Sequence, residues 1–417
     1  MATRTILAAM SALLLAACTA LGEDARRALP LPSAGPPPGP AVLLTLSGNV
    51  PPHSLRRVDP RTLQPGAPAL TLHDNVGTTA LSPDGRRVAL GSNWRARIEI
   101  VDLTRMRLVR TIRLRVPGSV VRMAWPSRDR LLVVVEGPLR IGAVNPRTGA
   151  VGPLRRIRGT ALAYDAAGSA IAFLLAPRMG IGPVRVEVSD GGPVRSTALE
   201  GFRGGTGSAE GSAGTETPVR TLVPAFAVEP GGRRAVVVAA SGRVAEVDLN
   251  SLGVRYHEPG STASLLGRMR NWLEPTAEAK LLAGTVLTAV WLPSGLVVVS
   301  GVDYRAEDAV PAGATVLDTR DWSTRKLDPA AMSAQRVGNG FALLRWSATR
   351  TTATVYDAAA RRRFRVARDT LELVPAGREI YALSRGGVRY ERLAPRTGRV
   401  LARRTVEPST WLLAPSG

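Results

Sequence analysis

Side chains able to do acid, base, nucleophilic or metal chemistry are few in this 417-residue chain. There are three histidines, His53, His73 and His257, and one cysteine, Cys18. A lone thiol excludes an intrachain disulfide and a cysteine-built metal site. None of the histidines has a metal-ligand neighbour at useful spacing, so all three are expected as exposed loop residues rather than as ligands or acid/base groups. Asp303, Glu307 and Asp308 gather around Tyr304 and Arg305, but three carboxylates in a loop are ordinarily solvated rather than metal-bound. No nucleophile elbow, phosphate loop, dinucleotide fingerprint or calcium loop is present. The expectation is therefore no catalytic set, no metal and no cofactor, which points to binding.

The charge balance, 55 basic against 33 acidic residues for a net +22, invites a nucleic-acid partner. Its distribution argues against one. Lysine occurs only at Lys280 and Lys326, and the arginines are scattered singly with no basic arm or helix, whereas a nucleic-acid footprint is a concentrated stripe. A weak, salt-sensitive attraction to anionic head groups or envelope polymers fits better.

The N-terminus explains the cysteine. Arg4 precedes an apolar run from Ile6 to Ala17 that ends in small residues, the layout of a secretory signal and too short for an ordinary spanning helix. Leu15-Ala16-Ala17-Cys18 resembles the bacterial lipobox, which implies cleavage before Cys18 and a lipidated thiol there. Each buried acyl methylene contributes about 0.8 kcal/mol, so two chains hold a protein on a membrane without a spanning helix. Residues 18–40, with Pro30, Pro32, Pro36, Pro37, Pro38 and Pro40, favour an extended tether.

From residue 41 onward two kinds of turn alternate. The first kind occurs as Ser82-Pro83-Asp84-Gly85, Pro126-Ser127-Arg128-Asp129, Asp165-Ala166-Ala167-Gly168, Glu229-Pro230-Gly231-Gly232, Leu292-Pro293-Ser294-Gly295, Val337-Gly338-Asn339-Gly340, Val374-Pro375-Ala376-Gly377 and Ala414-Pro415-Ser416-Gly417. Proline presets the first turn dihedral and glycine supplies positive φ. The second kind opens on a short side-chain oxygen: Asp59, Asp102, Asn145, Asp248 and Asp318 are clear, while 189–190, 356–357 and 394–398 are weaker. Short Val- and Leu-rich runs lie between, so the chain reads as all-β, with four short antiparallel strands per unit of about 40 residues.

This pattern resembles YVTN-type and WD-repeat-like β-propellers, in which a Ser-Pro-Asp-Gly turn and a later Val-Asp turn recur; Ser82 to Gly85 and Val101-Asp102 match best. The Gly-His and Trp-Asp marks of strict WD repeats are missing. The resemblance implies four-stranded blades over residues 41–417, eight by the turn count, with seven open if 331–366 is incomplete and a two-domain sandwich as the structural rival. The chain ends on a first strand and the repeat region starts on a second, so strand 410–415 is expected to pair with 42–46 and close the ring. The domain reading is a signal peptide at 1–17, a lipidated tether at 18–40, and a propeller at 41–417 with insertions at 200–222 and 259–284.

In such blades one face carries the tight turns and the other the second-to-third loops and blade-to-blade links. The long excursions all fall on the second face: Ser92 to Ala96, Pro177 to Pro183, Glu200 to Leu222, Pro259 to Gly284 and Asp303 to Gly313. Loops on a rigid scaffold concentrate binding residues, so Trp94, Arg178, Phe202, His257, Arg268, Trp272, Asp303, Tyr304 and Arg305 are the expected binding set. Leu265, Leu266, Met269, Trp272 and Leu273 fall at helical spacing with Pro275 as a stop, predicting a short amphipathic helix. The expected function is a membrane-anchored, extracytoplasmic binding or scaffold propeller whose partner is a protein or an anionic envelope polymer. The alternative is an exported lactonase- or lyase-like enzyme with its site at the channel mouth.

Overall fold

The computed structural model describes residues 43–47, 51–208, 219–258, 282–305, 308–346, 351–366, 370–376, 379–384, 389–406 and 410–414. Cys18, the tether and the expected helix with Arg268 and Trp272 lie outside them. The described residues form short strands joined by turns, as the Val- and Leu-rich runs predict.

Six four-stranded antiparallel blades stand as separate sheets. Five are consecutive in the chain, spanning 76–113, 119–156, 225–257, 333–366 and 370–405. The sixth joins both chain ends: Leu70–Leu72, His53–Arg57, Leu44–Ser47 and Thr410–Leu413 lie side by side in that order. The expected terminal pairing is present, with Leu44 opposite Leu413 and Ser47 opposite Thr410. The expectation of eight separate blades, or seven, is corrected to six plus one nine-stranded sheet. The cause is the strand Val219–Val223, which begins inside the expected insertion and ends one residue past it. It pairs antiparallel with Gly205 to Ser208 and parallel with Leu282 to Val286, merging two runs of four antiparallel strands, 160–208 and 282–328, into one sheet.

The packing explains the sequence pattern. Second strands such as Arg130–Glu136 and Ala170–Ala176 are buried almost throughout, because sheets cover both of their faces and strict alternation is unnecessary. Outer strands such as Arg107–Arg113 stay mostly exposed. Among the described residues the core is divided into apolar clusters that lie between consecutive sheets. One combines Leu46, Leu55 and Leu72 with Leu90, Val101 and Met106. Another brings Leu43, Leu63 and Leu412 against Val374, Tyr381 and Leu383, so that the 370–405 blade packs on the blade made from the chain ends.

Both turn types form as their chemistry dictates at their clearest members, whereas Asp165, read as a turn opener, lies in the strand Thr160–Ala167. In the first, Gly85 takes φ 67° and its N–H donates to Ser82 O at 2.8 Å, while Ser82 Oγ accepts from Arg87 N at 2.9 Å. In the second, the side-chain oxygens of Asp59, Asp102, Asn145, Asp248 and Asp318 accept from the backbone N–H two residues on. The weaker members Asp190 and Asp357 do the same. Backbone N–H donors, two residues on for Asp59 and Asp190 and three residues on for Asp102 and Asp248, hold these carboxyls below the usual carboxylate range.

The second turn has a further constant part. The residue four positions after the opener is left-handed: Leu63 (φ 61°), Met106 (46°), Gly149 (81°), Leu252 (61°), Trp322 (61°) and Gly398 (70°), with Ala360 (57°) one position earlier in its turn. In five of these turns its N–H donates to the opener's carbonyl at 2.7 to 2.9 Å. A non-glycine residue there costs about 1–2 kcal/mol. The cost is offset because Leu63, Met106 and Ala360 are buried in the cluster shared with the preceding sheet.

Arginines grip the same turns. Arg195 Nη1 and Nη2 donate to Asn250 O and Leu249 O at 2.6 and 3.1 Å, Arg325 Nη2 to Ala360 O at 3.4 Å, and Arg392 Nη1 to Arg61 O at 3.3 Å. A guanidinium satisfied by carbonyls needs no carboxylate partner. Singly scattered arginines are therefore part of how blades join.

Candidate functional site

Among the described residues, the excursions at 180–183, 200–208, 219–222, 303–305 and 308–313 are paired strand rather than free loops. Strand Gly180–Ser189 pairs with Arg195–Ser208 in two stretches, with a register shift at Pro183 to Arg185. The pairing then runs on through Val219–Val223 to Leu282–Trp291, Leu296–Arg305 and Asp308–Asp318. Close approach requires glycine in this sheet: Gly205 has φ 129°, and a Cβ there would lie 2.2 Å from Gly180 O. The expectation that 200–222 and 303–313 are loop excursions is corrected for 200–208, 219–222, 303–305 and 308–313, because backbone pairing satisfies their polar groups in strands.

The expected binding residues separate into three situations. Trp94, 56% exposed, and Arg178 beside Met179, 87% exposed, are open to solvent on different sheets. Phe202 is corrected to a core residue: it is buried, stacks on Tyr256 at 6.1 Å, and lies under the Arg243 guanidinium. Tyr256 Oη accepts from Glu200 N at 2.7 Å and Arg243 Nη1 donates to Glu200 O at 3.1 Å, so this group clamps the excursion onto the 225–257 blade. On the paired extension, Asp303 accepts from Thr285 Oγ1 at 2.9 Å, Tyr304 is half-buried, and the Arg305 backbone pairs with Asp308.

The histidine expectation is also corrected. His53 and His257 lie in strands, not exposed loops. His53 is buried, with Nε2 on Asn75 Oδ1. His257 is on the outermost strand of its blade, stacked on Trp322 at 3.7 Å and 13°, with Nε2 3.2 Å from Glu246 Oε2. Glu246 also takes Arg234 Nη1 at 2.9 Å, and that guanidinium lies 5.4 Å over Trp291. Neighbouring side chains on a strand face opposite ways: Tyr256 meets Phe202 of one sheet and His257 meets Trp322 of the next. These aromatics seal junctions.

Sequence reasoning missed a polar group on the first strands of the blades. Asp165 is buried and accepts from Ala166 N at 2.8 Å and Val228 N, on the next first strand, at 3.2 Å. Burial pushes its carboxyl up to about 7, opposed by the Arg122 guanidinium, these N–H donors and Arg336. Burial pulls Arg122 down to about 10 against the pull of Asp165. Gln335 makes the same link without a charge, Oε1 accepting from Leu373 N at 3.4 Å. In the strand register Asp165 stands where Ala80, Ala227 and Val290 stand in other first strands. That is the signal that finds it, and it marks a bridge between strands. Glu372, also raised to about 7 by burial, lies near Tyr390, whose hydroxyl donates to Thr410 O.

No protein-family model and no curated protein matches the chain. Solved structures do. A dihydro-heme d1 dehydrogenase, NirN, in complex with DHE is similar with a TM-score of 0.56 and 13% identity, over 93% of this chain and 80% of that one. Sqt1 of Saccharomyces cerevisiae reaches 0.49 at 12% identity over 78% and 84%, and BamB from Moraxella catarrhalis 0.45 at 12% over 79% and 91%. At such identity the likeness is one of fold, and with the sheet order it makes this chain a β-propeller of four-stranded antiparallel blades.

Proposed function

We propose that the protein is an exported, lipid-anchored propeller that works as a binding scaffold through its loop-bearing side. The observation that carries this reading is the nine-stranded sheet: excursions from separate blades are tied edge to edge into a paired platform. Pairing removes the ordering entropy that a loose loop loses on binding. The Leu44 to Leu413 register joins the first described strand to the last within one of the six four-stranded blades. Anchoring rests on Leu15 to Cys18, and the Pro-rich tether gives the propeller reach.

The enzyme alternative calls for histidine at a channel mouth, but His257 lies on an outermost strand with its ring covered by Trp322. The test uses the full chain in its envelope. A photo-crosslinking residue in place of Met179 or Trp94 is expected to capture one discrete partner, and the same residue in place of Asp84, on the tight-turn side, to capture none. Equal labelling from both sides would sink the scaffold reading. Cys18→Ser is expected to move the protein from the membrane fraction to the soluble one, and retention on the membrane would remove the lipid anchor.

A further inference from the structure

In several blades the left-handed residue of the second turn lies against the preceding blade, and Leu63, Met106, Trp322 and Ala360 plug the junction there. At the junction of the 76–113 and 119–156 blades the plug is missing, because the residue is Gly149. A Cβ on Gly149 would lie 3.1 Å from Arg110 Cδ, so an arginine stem occupies the place of the plug. The result is a cleft of about 720 Å³ along the outer strand, lined by Arg97, Arg110, Arg113, Arg115, Thr111 and Thr148.

Four arginines and two threonines are among the residues that line the cleft, and no aspartate or glutamate is. Arg97 has acidic partners behind it, Glu99 and, at 3.6 Å, Asp74. Among the described residues Arg110, Arg113 and Arg115 have no ion-pair partner, and the buried Nε of Arg110 makes no hydrogen bond. Arg97 and Arg113 are direct cross-strand partners, an arrangement of like charges that weakens a sheet when nothing lies between them. At other junctions Arg195 and Arg325 end on turn carbonyls and Arg234 on a carboxylate. Here four arginines border one open cleft at the sheet edge, and planar guanidinium forks are the groups that recognise phosphate oxygens in bidentate fashion.

We propose that this cleft is a binding site for a ligand carrying two or more phosphate groups, either a soluble oligophosphate or a phosphodiester polymer of the envelope. The site lies on the outer edge of two neighbouring blades and does not depend on the loop-bearing platform, so either reading can fail without the other.

Titration calorimetry on the full chain with tripolyphosphate tests it, alongside flotation with anionic phospholipid vesicles and binding to poly(glycerol phosphate). Tripolyphosphate is expected to bind at one site per chain and to weaken at least about tenfold between about 50 and 300 mM salt. Arg113→Glu or Arg115→Glu is expected to weaken binding about tenfold or more, since each reverses a charge at the ligand. Gly149→Leu is expected to abolish it with the thermal melt preserved, because Leu63 and Leu252 hold the same backbone angle in equivalent turns. Arg320→Glu, on an exposed turn of another sheet, is expected to leave it unchanged. Equal loss from Arg320→Glu, or full binding by Gly149→Leu, would overturn the site in favour of a diffuse surface field. Binding of tripolyphosphate and the polymer but not vesicles assigns the soluble or polymer source, and binding of vesicles alone would also overturn the proposal.

Discussion

Two junctions with the same backbone do opposite things. In the turn 318–322 the left-handed residue is Trp322, whose ring stacks on His257 of the preceding blade at 3.7 Å. In the turn 145–149 it is Gly149, and Arg110 lies where the ring would be. Both turns open on an oxygen that accepts from the N–H two residues on, and both close with a bond to the opener's carbonyl at 2.8 Å. One side chain, present or absent, decides between a sealed junction and a cationic cleft. Gly398 shows that glycine alone does not open a cleft: there a Cβ would fall 2.3 Å from Phe364, whose ring fills the slot. An open junction needs both the missing plug and a polar residue on the facing strand.

The comparison can be broken at its strongest point first. Leu63→Ala removes a plug that is 1% exposed and is expected to cost about 2–4 kcal/mol in denaturant unfolding, the range for truncating a buried leucine. A cost below about 1 kcal/mol would mean that plugs do not hold blades together. Trp322→Gly removes the stack but also relieves the left-handed backbone, so a smaller net loss of about 1–2 kcal/mol is expected. Arg195→Ala, which deletes two bonds to the turn carbonyls at 249 and 250, is expected to cost about 1 kcal/mol. Arg110→Ala is expected to leave stability within about 0.5 kcal/mol while weakening tripolyphosphate binding, since no bond of its Nε is lost.

The inner ends of the junctions supply the smallest effect and a pH test. Asp165 and Gln335 make equivalent links to the next first strand, and only Asp165 titrates. Its folded value of about 7 lies above the ordinary 3.8. The folded protein therefore keeps a proton that the unfolded chain releases, and this contribution is whole below about pH 4 and lost as the pH rises to about 7. Asp165→Asn is expected to flatten that part of the melting profile and to raise the melting temperature at pH 8 by about 1–3 °C, with little change at pH 4. An unchanged slope would assign the pH dependence to Glu372, for which Glu372→Gln is the matching variant.

Much of the fold was legible because its signals are local. Ser82 to Gly85 specifies its turn within four residues, and Asp59, Asp102 and Asp248 each bond backbone two residues away. The chain-end pairing followed from counting strands. The candidate site was less legible. Phe202 reads as an exposed loop aromatic until Tyr256, on another sheet, covers it, and His257 reads as a loop residue until Trp322 stacks on it. Gly149 and Leu63 occupy matching places in their turns, but what faces each comes from a strand in the preceding blade.

The amino-acid sequence by itself determined the all-β class, the repeated pair of turns and the meeting of the chain ends, because proline, glycine and aspartate act on backbone within a few bonds of themselves. Only the tertiary structure decided that Val219–Val223 would fuse two four-strand runs, that Asp165 would be buried beside Arg122, and that four arginines would share one cleft. Edge pairing, burial and charge proximity depend on which surfaces meet, and residues far apart in the chain set that jointly.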